Sequence, residues 1–166
     1  DELIACPGPS YLRLDKSVAG VSKKEGERFR FGSSRRIREG TDITIIGTGG
    51  ILAEVMFAAE NLSAQGFECR VVDMCSIKPL DEQEVLTAAR ETGGIVSVEE
   101  HNVVGGLGGA IAETCLENGV QPKVFRRVGM SDVYSELVGS QQYLRSQYGM
   151  GIEAIADTVR SALKAA

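Results

Sequence analysis

Four short apolar segments rich in β-branched residues alternate with helix-like segments along most of this chain. The four are DITIIGTG (42–49), ECRVVDM (68–74), GIVSVEE (94–100) and KVFRRVG (123–129). Such segments are typical of strands buried on both faces, and their alternation with helices indicates parallel strands joined by crossovers. The pattern therefore predicts an α/β fold, a three-layer α/β/α sandwich around a mostly parallel sheet.

The segment RRIRE (35–39) adds a fifth strand to this sheet. Its charged side chains suit an edge strand, which has one side facing water. Too few residues separate it from the next strand for a parallel crossover, which needs about a dozen. We therefore expect a five-stranded sheet with one antiparallel edge strand.

The helix-like segments carry end signals. Asp81 with Glu84 three residues later forms an Asp version of the capping box, and Ser140 is a second candidate N-cap. Gly66 and the pair 118–119 are placed to end helices. One end of each of four helices is therefore predicted from local sequence.

The N-terminal part differs from the rest of the chain. Residues 15–34 are polar and rich in Gly, Ser and Lys, which is typical of a linker. Before them, SYLRL (10–14) follows a Pro-Gly-Pro turn and has no upstream strand to pair with. We interpret residues 1–14 as the last strand of a preceding domain, 15–34 as a linker and 35–166 as the main domain.

Composition excludes several classes of function. The chain of 166 residues carries a net charge of -5, which gives a nucleic acid or an anionic membrane no basic field to bind. No apolar run reaches the roughly 20 residues of a membrane-spanning helix. The basic segment 23–38 is interrupted by apolar residues, so we interpret it as solvated linker, with a phosphate or nucleic-acid patch as the alternative.

The four cysteines show no metal-site spacing. They lack a CxxC motif, and a single histidine is available as a further ligand, so no metal site is expected. Four unpatterned thiols suit a reducing compartment, and we expect a cytoplasmic protein.

Two strand-to-helix turns are rich in glycine, GTGGILAE (47–54) and GGLGGAIAE (105–113). A dinucleotide fingerprint needs a small residue at its third position, where these turns have Leu52 and Ile111. Glycines that let a helix approach the sheet are the favoured interpretation, with nucleotide binding as the alternative. Asp73 stands where a ribose-binding acid would lie, but without the fingerprint it is interpreted as a turn former.

The single histidine, His101, follows Glu99 and Glu100 at the carboxyl end of a predicted central strand. Ligands of open α/β sheets bind at this edge, so an acid–base role is one interpretation. No serine or cysteine nucleophile occupies a strained turn nearby, and no second histidine could complete a metal site. A hydrogen-bonded histidine that lies at an interface or anchors a loop is therefore favoured.

Arg13 lies between Leu12 and Leu14 in the predicted strand 10–14. An isolated arginine of this kind is commonly a surface charge. Its planar guanidinium also suits phosphate, so both interpretations stay open.

Taken in order, these segments resemble the C-terminal part of transketolase-type thiamine-diphosphate enzymes. The segments are GPSYLRL (8–14), the run 38–81, VSVEEHNVVGGLGGAIAE (96–113) and FRRVGMSD (125–132), and the likeness extends from about residue 6 to 166. VEEH followed by GGLGGA is the most specific element. The greatest likeness is to the C-terminal section of a split transketolase.

The resemblance implies a function for the complete enzyme. Thiamine diphosphate and Mg²⁺ would be bound by upstream pyrophosphate- and pyrimidine-binding domains or a separate subunit, in a homodimer acting on sugar phosphates. Arg13 would contact the substrate's phosphate, while Glu100, His101, Gly105 and Gly106 would support the site or an interface. No catalytic residue is expected in this chain.

The expected activity is transfer of two-carbon ketol units between sugar phosphates, with the chain inactive on its own. The alternatives are the C-terminal domain of 1-deoxyxylulose-5-phosphate synthase or of a 2-oxoacid dehydrogenase β subunit. A non-catalytic module that binds nucleotides at its glycine turns is a third.

Overall fold

A computed structural model describes residues 2–15 and 26–165 of the chain. The strands are β1 (Arg35–Arg38), β2 (Ile43–Thr48), β3 (Cys69–Asp73), β4 (Ile95–Asn102) and β5 (Phe125–Met130). The helices are α1 (Glu2–Ala5), α2 (Leu52–Ser63), α3 (Glu82–Glu91), α4 (Leu107–Glu117), α5 (Gln141–Gln147) and α6 (Ile152–Ala165), and a 3₁₀ turn, Gly49–Ile51, precedes α2.

The strands form one five-stranded sheet in the order β1-β3-β2-β4-β5. β2, β3, β4 and β5 run parallel, and β1 lies antiparallel at the edge. Helices α2 and α6 pack on one face of the sheet, and α3 and α4 pack on the other. The predicted three-layer α/β/α sandwich with one antiparallel edge strand is confirmed.

The core consists of aliphatic side chains contributed from both faces of the central strands. Alternation places Val96 and Val98 against α2 and α6, and Ile95 against α3 and α4. Because both faces are covered, β2 and β3 are buried along almost their whole length. β5 is the exception: it lies at the other edge of the sheet and buries only Val128, so its expected burial on both faces was wrong.

The edge strand β1 has the predicted direction and a different neighbour from the one its sequence position suggests. It pairs with β3, with Arg35 opposite Asp73, and β2 lies on the far side of β3. Arg35 donates to Asp73 at 2.6 and 3.0 Å, and Arg36 donates to Glu84. Asp73 is therefore an ion-pair partner of the edge strand, and its interpretation as a turn former was wrong.

Residues 10–14 form no strand. They are exposed, irregular chain, and no strand among the described residues pairs with them, which removes the ladder hydrogen bonds that define a strand. Of the predicted linker 15–34, residues 16–25 lie outside the described part. Ser34 donates from its N–H and its hydroxyl to Asp81, so the end of this segment contacts the main domain.

No helix in the described ranges is long and apolar enough to span a membrane.

Candidate functional site

The carboxyl end of β4 brings together most of the residues that the sequence singled out. β4 lies between β2 and β5, near the middle of the sheet, and ends with Glu99, Glu100, His101 and Asn102. Successive side chains of a strand point to opposite faces. Glu99 therefore points toward α4, and Glu100 points toward α2 and α5.

Glu99 closes the glycine-rich turn. Its carboxylate is buried and accepts hydrogen bonds from the N–H groups of Leu107 at 2.7 Å and Gly108 at 2.9 Å, in the first turn of α4. Unpaired N–H groups and the helix dipole make this position favourable for an anion. A side chain of the protein already occupies it, so the turn offers no open cradle for a nucleotide phosphate.

The glycines of this turn have two separate roles. Gly105 has a φ of +74°, a left-handed conformation that glycine adopts without strain. At Gly106, a Cβ atom would overlap the Glu99 carboxylate. Both glycines thus let β4 turn into α4 over a buried acid.

Glu100 is held from the opposite face by α5. Its carboxylate accepts from Arg145 Nη2 at 2.6 Å and Nε at 3.2 Å, and from Gln141 Nε2 at 2.9 and 3.0 Å. Arg145 also donates from Nη1 to both carboxylate oxygens of Glu54 on α2, at 2.9 and 3.0 Å. One guanidinium thus joins α2, β4 and α5.

Burial and charge partners act on Arg145 in opposite directions. The side chain is only 5% exposed, and this burial lowers its pKa. The hydrogen bonds that Arg145 donates to Glu100 and Glu54, and the attraction of their charges, raise the pKa by more, so it lies above the usual value. Arg145 stays charged, as a buried guanidinium between carboxylates must.

Arg13 reaches this group of residues from the N-terminal segment. Its Nη1 donates to the backbone oxygen of Glu100 at 3.2 Å, across 87 positions of sequence. Asp15 accepts from Gln141 at 3.2 and 3.3 Å, and Arg145 Nη2 lies 3.6 Å from the Asp15 carboxylate. The segment that carries Arg13 is therefore tied to the carboxyl edge of the sheet.

His101 lies beside this group and is exposed. Its Nδ1 is 2.8 Å from the carbonyl oxygen of Asn102 and 3.9 Å from Glu99 Oε2. A carbonyl oxygen only accepts, so Nδ1 is the donor in this contact. His101 thus lies within β4 and makes a local hydrogen bond, and its role at an interface or in anchoring a loop stays a prediction.

The hydrogen-bonded cluster around Glu100 and Arg145 includes three residues that were not predicted from sequence: Glu54, Gln141 and Arg145. Glu54 is a buried acid in the apolar first turn of α2, which is an unusual place for an unpaired charge. That position was the one available signal. Nothing local indicates its partner, which lies 91 residues away.

The sequence and structure are similar to known proteins along the same stretch. Residues 32–155 match the family model described as transketolase, C-terminal domain. The chain is 40% identical over 154 residues to the 6-deoxy-6-sulfo-D-fructose transketolase subunit SqwH of Clostridium sp. (strain MSTE9), with 93% of this chain and 47% of that protein covered. It is 36% identical over 156 residues to 1-deoxy-D-xylulose-5-phosphate synthase of Syntrophotalea carbinolica, with 93% of this chain and 24% of that protein covered.

A solved structure described as a split-gene transketolase, an inactive β4 tetramer, has the same fold. It superposes with a TM-score of 0.87 at 37% sequence identity, with 96% of this chain and 52% of that chain covered. The chain thus spans about half the length of its transketolase relative and of this structure. The family match over residues 32–155 shows that the chain belongs to the transketolase C-terminal domain family.

Proposed function

We propose that this chain is the C-terminal part of an enzyme that transfers two-carbon ketol units between sugar phosphates. The observation that carries the proposal is the position of Arg13, whose guanidinium bonds the Glu100 carbonyl at the carboxyl edge of the sheet. Ligands of α/β sheets bind at this edge, and the planar guanidinium matches a phosphate group. Arg13 would bind the phosphate of the sugar and so fix its orientation.

Thiamine diphosphate would supply the carbanion that cleaves and transfers the ketol unit. The residues of this chain do not fit the cofactor or its Mg²⁺. Glu99 fills the anion position at the start of α4, and no group of three or more potential metal ligands exists within residues 2–15 and 26–165. In this proposal, upstream domains or a separate subunit hold both, and this chain binds substrate without making bonds.

The proposal includes a homodimer in the cytoplasm and an isolated chain without activity. The half-length match to the split-gene transketolase supports a requirement for further protein. The four cysteines are all free thiols, which suits a reducing compartment.

A second candidate function is condensation of pyruvate with a sugar phosphate. The similarity to 1-deoxy-D-xylulose-5-phosphate synthase favours it, because that likeness covers 93% of this chain. A nucleotide-binding module is less favoured, because the N-terminus of α4 is occupied by Glu99. Calorimetry of the chain with ATP and NAD tests that alternative, and micromolar binding would support it.

The testing experiment measures ketol transfer from xylulose 5-phosphate to ribose 5-phosphate by the complete enzyme, with thiamine diphosphate and Mg²⁺. Arg13→Ala should raise KM for the sugar phosphates about tenfold to a hundredfold, since charge-assisted hydrogen bonds contribute about 1.5–3 kcal/mol. Arg126→Ala is the control, because the exposed Arg126 bonds only the adjacent Phe125 carbonyl among the described residues. An enzyme that binds the cofactor and consumes pyruvate instead would establish the second candidate.

A further inference from the structure

Two separate sets of contacts meet at Glu100. Its backbone oxygen accepts from Arg13, and its carboxylate is held by two side chains of α5, Gln141 and Arg145. A guanidinium bonds a carboxylate more strongly than a neutral carbonyl. The structure nevertheless shows Arg13 on the carbonyl, because the carboxylate is turned toward α5.

The direction of the Glu100 carboxylate affects what Arg13 can bind. A released Glu100 side chain, at the partly exposed end of β4, would be an anion adjacent to the guanidinium. It would compete with a phosphate group for the same donors. Gln141 and Arg145 keep this competitor away and leave a neutral acceptor in its place.

The same two α5 side chains also hold the chain just after Arg13. Gln141 Nε2 lies 3.2 Å from Oδ1 and 3.3 Å from Oδ2 of Asp15, and Arg145 Nη2 lies 3.6 Å from the same Oδ2. Residues 9–15 have no regular secondary structure to fix them. These polar contacts therefore help to hold the segment that carries Arg13.

We propose that Gln141 and Arg145 are positioning residues for substrate phosphate binding, acting through Glu100 and Asp15 on Arg13. This inference rests on the proposed function, because it requires Arg13 to bind the phosphate. It assigns to α5 a role in substrate affinity without contact with the substrate.

The test uses Gln141→Ala in the complete enzyme, with a ketose phosphate and the matching dephosphorylated ketose as donors. KM for the phosphorylated donor should rise about threefold to tenfold, which corresponds to part of one hydrogen bond to a charged group. kcat, and the KM for the dephosphorylated donor, should stay unchanged. Gln142→Ala is the matched control, since Gln142 is the next residue of α5 and is exposed.

We expect the Gln141→Ala variant to fold, so a folding defect should not account for the change in KM. Gln141 is the first residue of α5 and is only partly buried, and alanine is a good helix former. Gln141→Glu should act in the same direction and more strongly, because it places a negative charge against Glu100 and Asp15. An equal rise in KM for both donors would indicate a general structural role and overturn the proposal.

The double variant Arg13→Ala/Gln141→Ala separates this inference from the proposed function. If Gln141 acts through Arg13, its substitution should have no further effect on KM once Arg13 is absent. A full additional effect would overturn the positioning role while phosphate binding by Arg13 stands. If Arg13→Ala alone leaves KM unchanged, the phosphate role itself is wrong, and the inference falls with it.

Discussion

Arg145 and Glu54, 91 positions apart in the chain, form a buried ion pair in which one guanidinium nitrogen donates to both carboxylate oxygens at 2.9 and 3.0 Å. The same guanidinium bonds Glu100, so one charged side chain of α5 links α2 and β4. Each partner is costly to bury alone, and together they are satisfied.

Arg145→Met should lower the free energy of unfolding by about 3–5 kcal/mol, because it leaves two carboxylates without their buried cation. Urea denaturation measures the change. Arg126→Met is the control and should stay within about 0.5 kcal/mol, since Arg126 is exposed. A loss below about 1 kcal/mol for Arg145→Met would show that water compensates the carboxylates.

Gly106→Ala should destabilise the protein by about 1–3 kcal/mol, because its Cβ would overlap the Glu99 carboxylate and force the turn to shift. Gly109→Ala, three residues later in α4, is the matched control. No atom lies within 4 Å of a Cβ built there, so the substitution should stabilise the helix by about 0.5–1 kcal/mol. Thermal denaturation of both variants gives opposite signs if the turn is built as described.

Glu99→Gln should also destabilise the protein, by about 1–3 kcal/mol. An amide keeps one acceptor oxygen and turns an N–H₂ group toward an N–H donor at the start of α4, where two oxygens accept now. Glu113→Gln, on the exposed side of the same helix, should change little. Equal stability of the two variants would contradict the capping role of Glu99.

Alkylation of Cys75 should be slow and should accelerate with pH without a plateau between pH 7 and 10. Cys75 is exposed as a residue, but partial burial of its thiol, together with the nearby negative charge of Asp73, raises its pKa to about 12. Since only the thiolate reacts, the rate should rise about tenfold per pH unit across this range. Peptide mass spectrometry after iodoacetamide treatment follows the site, and a plateau near pH 9 would show an ordinary thiol.

Local sequence was sufficient for the ends of several helices. Asp81 accepts from the Glu84 N–H at 3.1 Å and Ser140 accepts from the Tyr143 N–H at 3.2 Å, as the capping signals predicted. The other half of the capping box is absent, because the Glu84 side chain bonds Arg36 of the edge strand. Arg36 of β1 therefore replaces the Asp81 N–H as the partner of the Glu84 side chain.

The sequence alone was less informative about which segments meet. The edge strand pairs with β3 and not with β2, the next strand along the chain, and residues 10–14 pair with no strand among the described residues. The glycine turn, Glu100 and Arg13 were identified as features of interest, and the structure brings Glu100 and Arg13 into contact. The division into 1–14, 15–34 and 35–166 stays a prediction.

The sequence by itself determined the fold class, the buried strands and the helix ends, because hydrophobic periodicity and capping act between residues a few positions apart. Only the tertiary structure decided that Glu99 caps α4 and that Arg145 joins Glu54 to Glu100. The interaction between two charges depends on their distance in space, and nothing in the local sequence indicates that Arg145 and Glu54, 91 positions apart, lie close together.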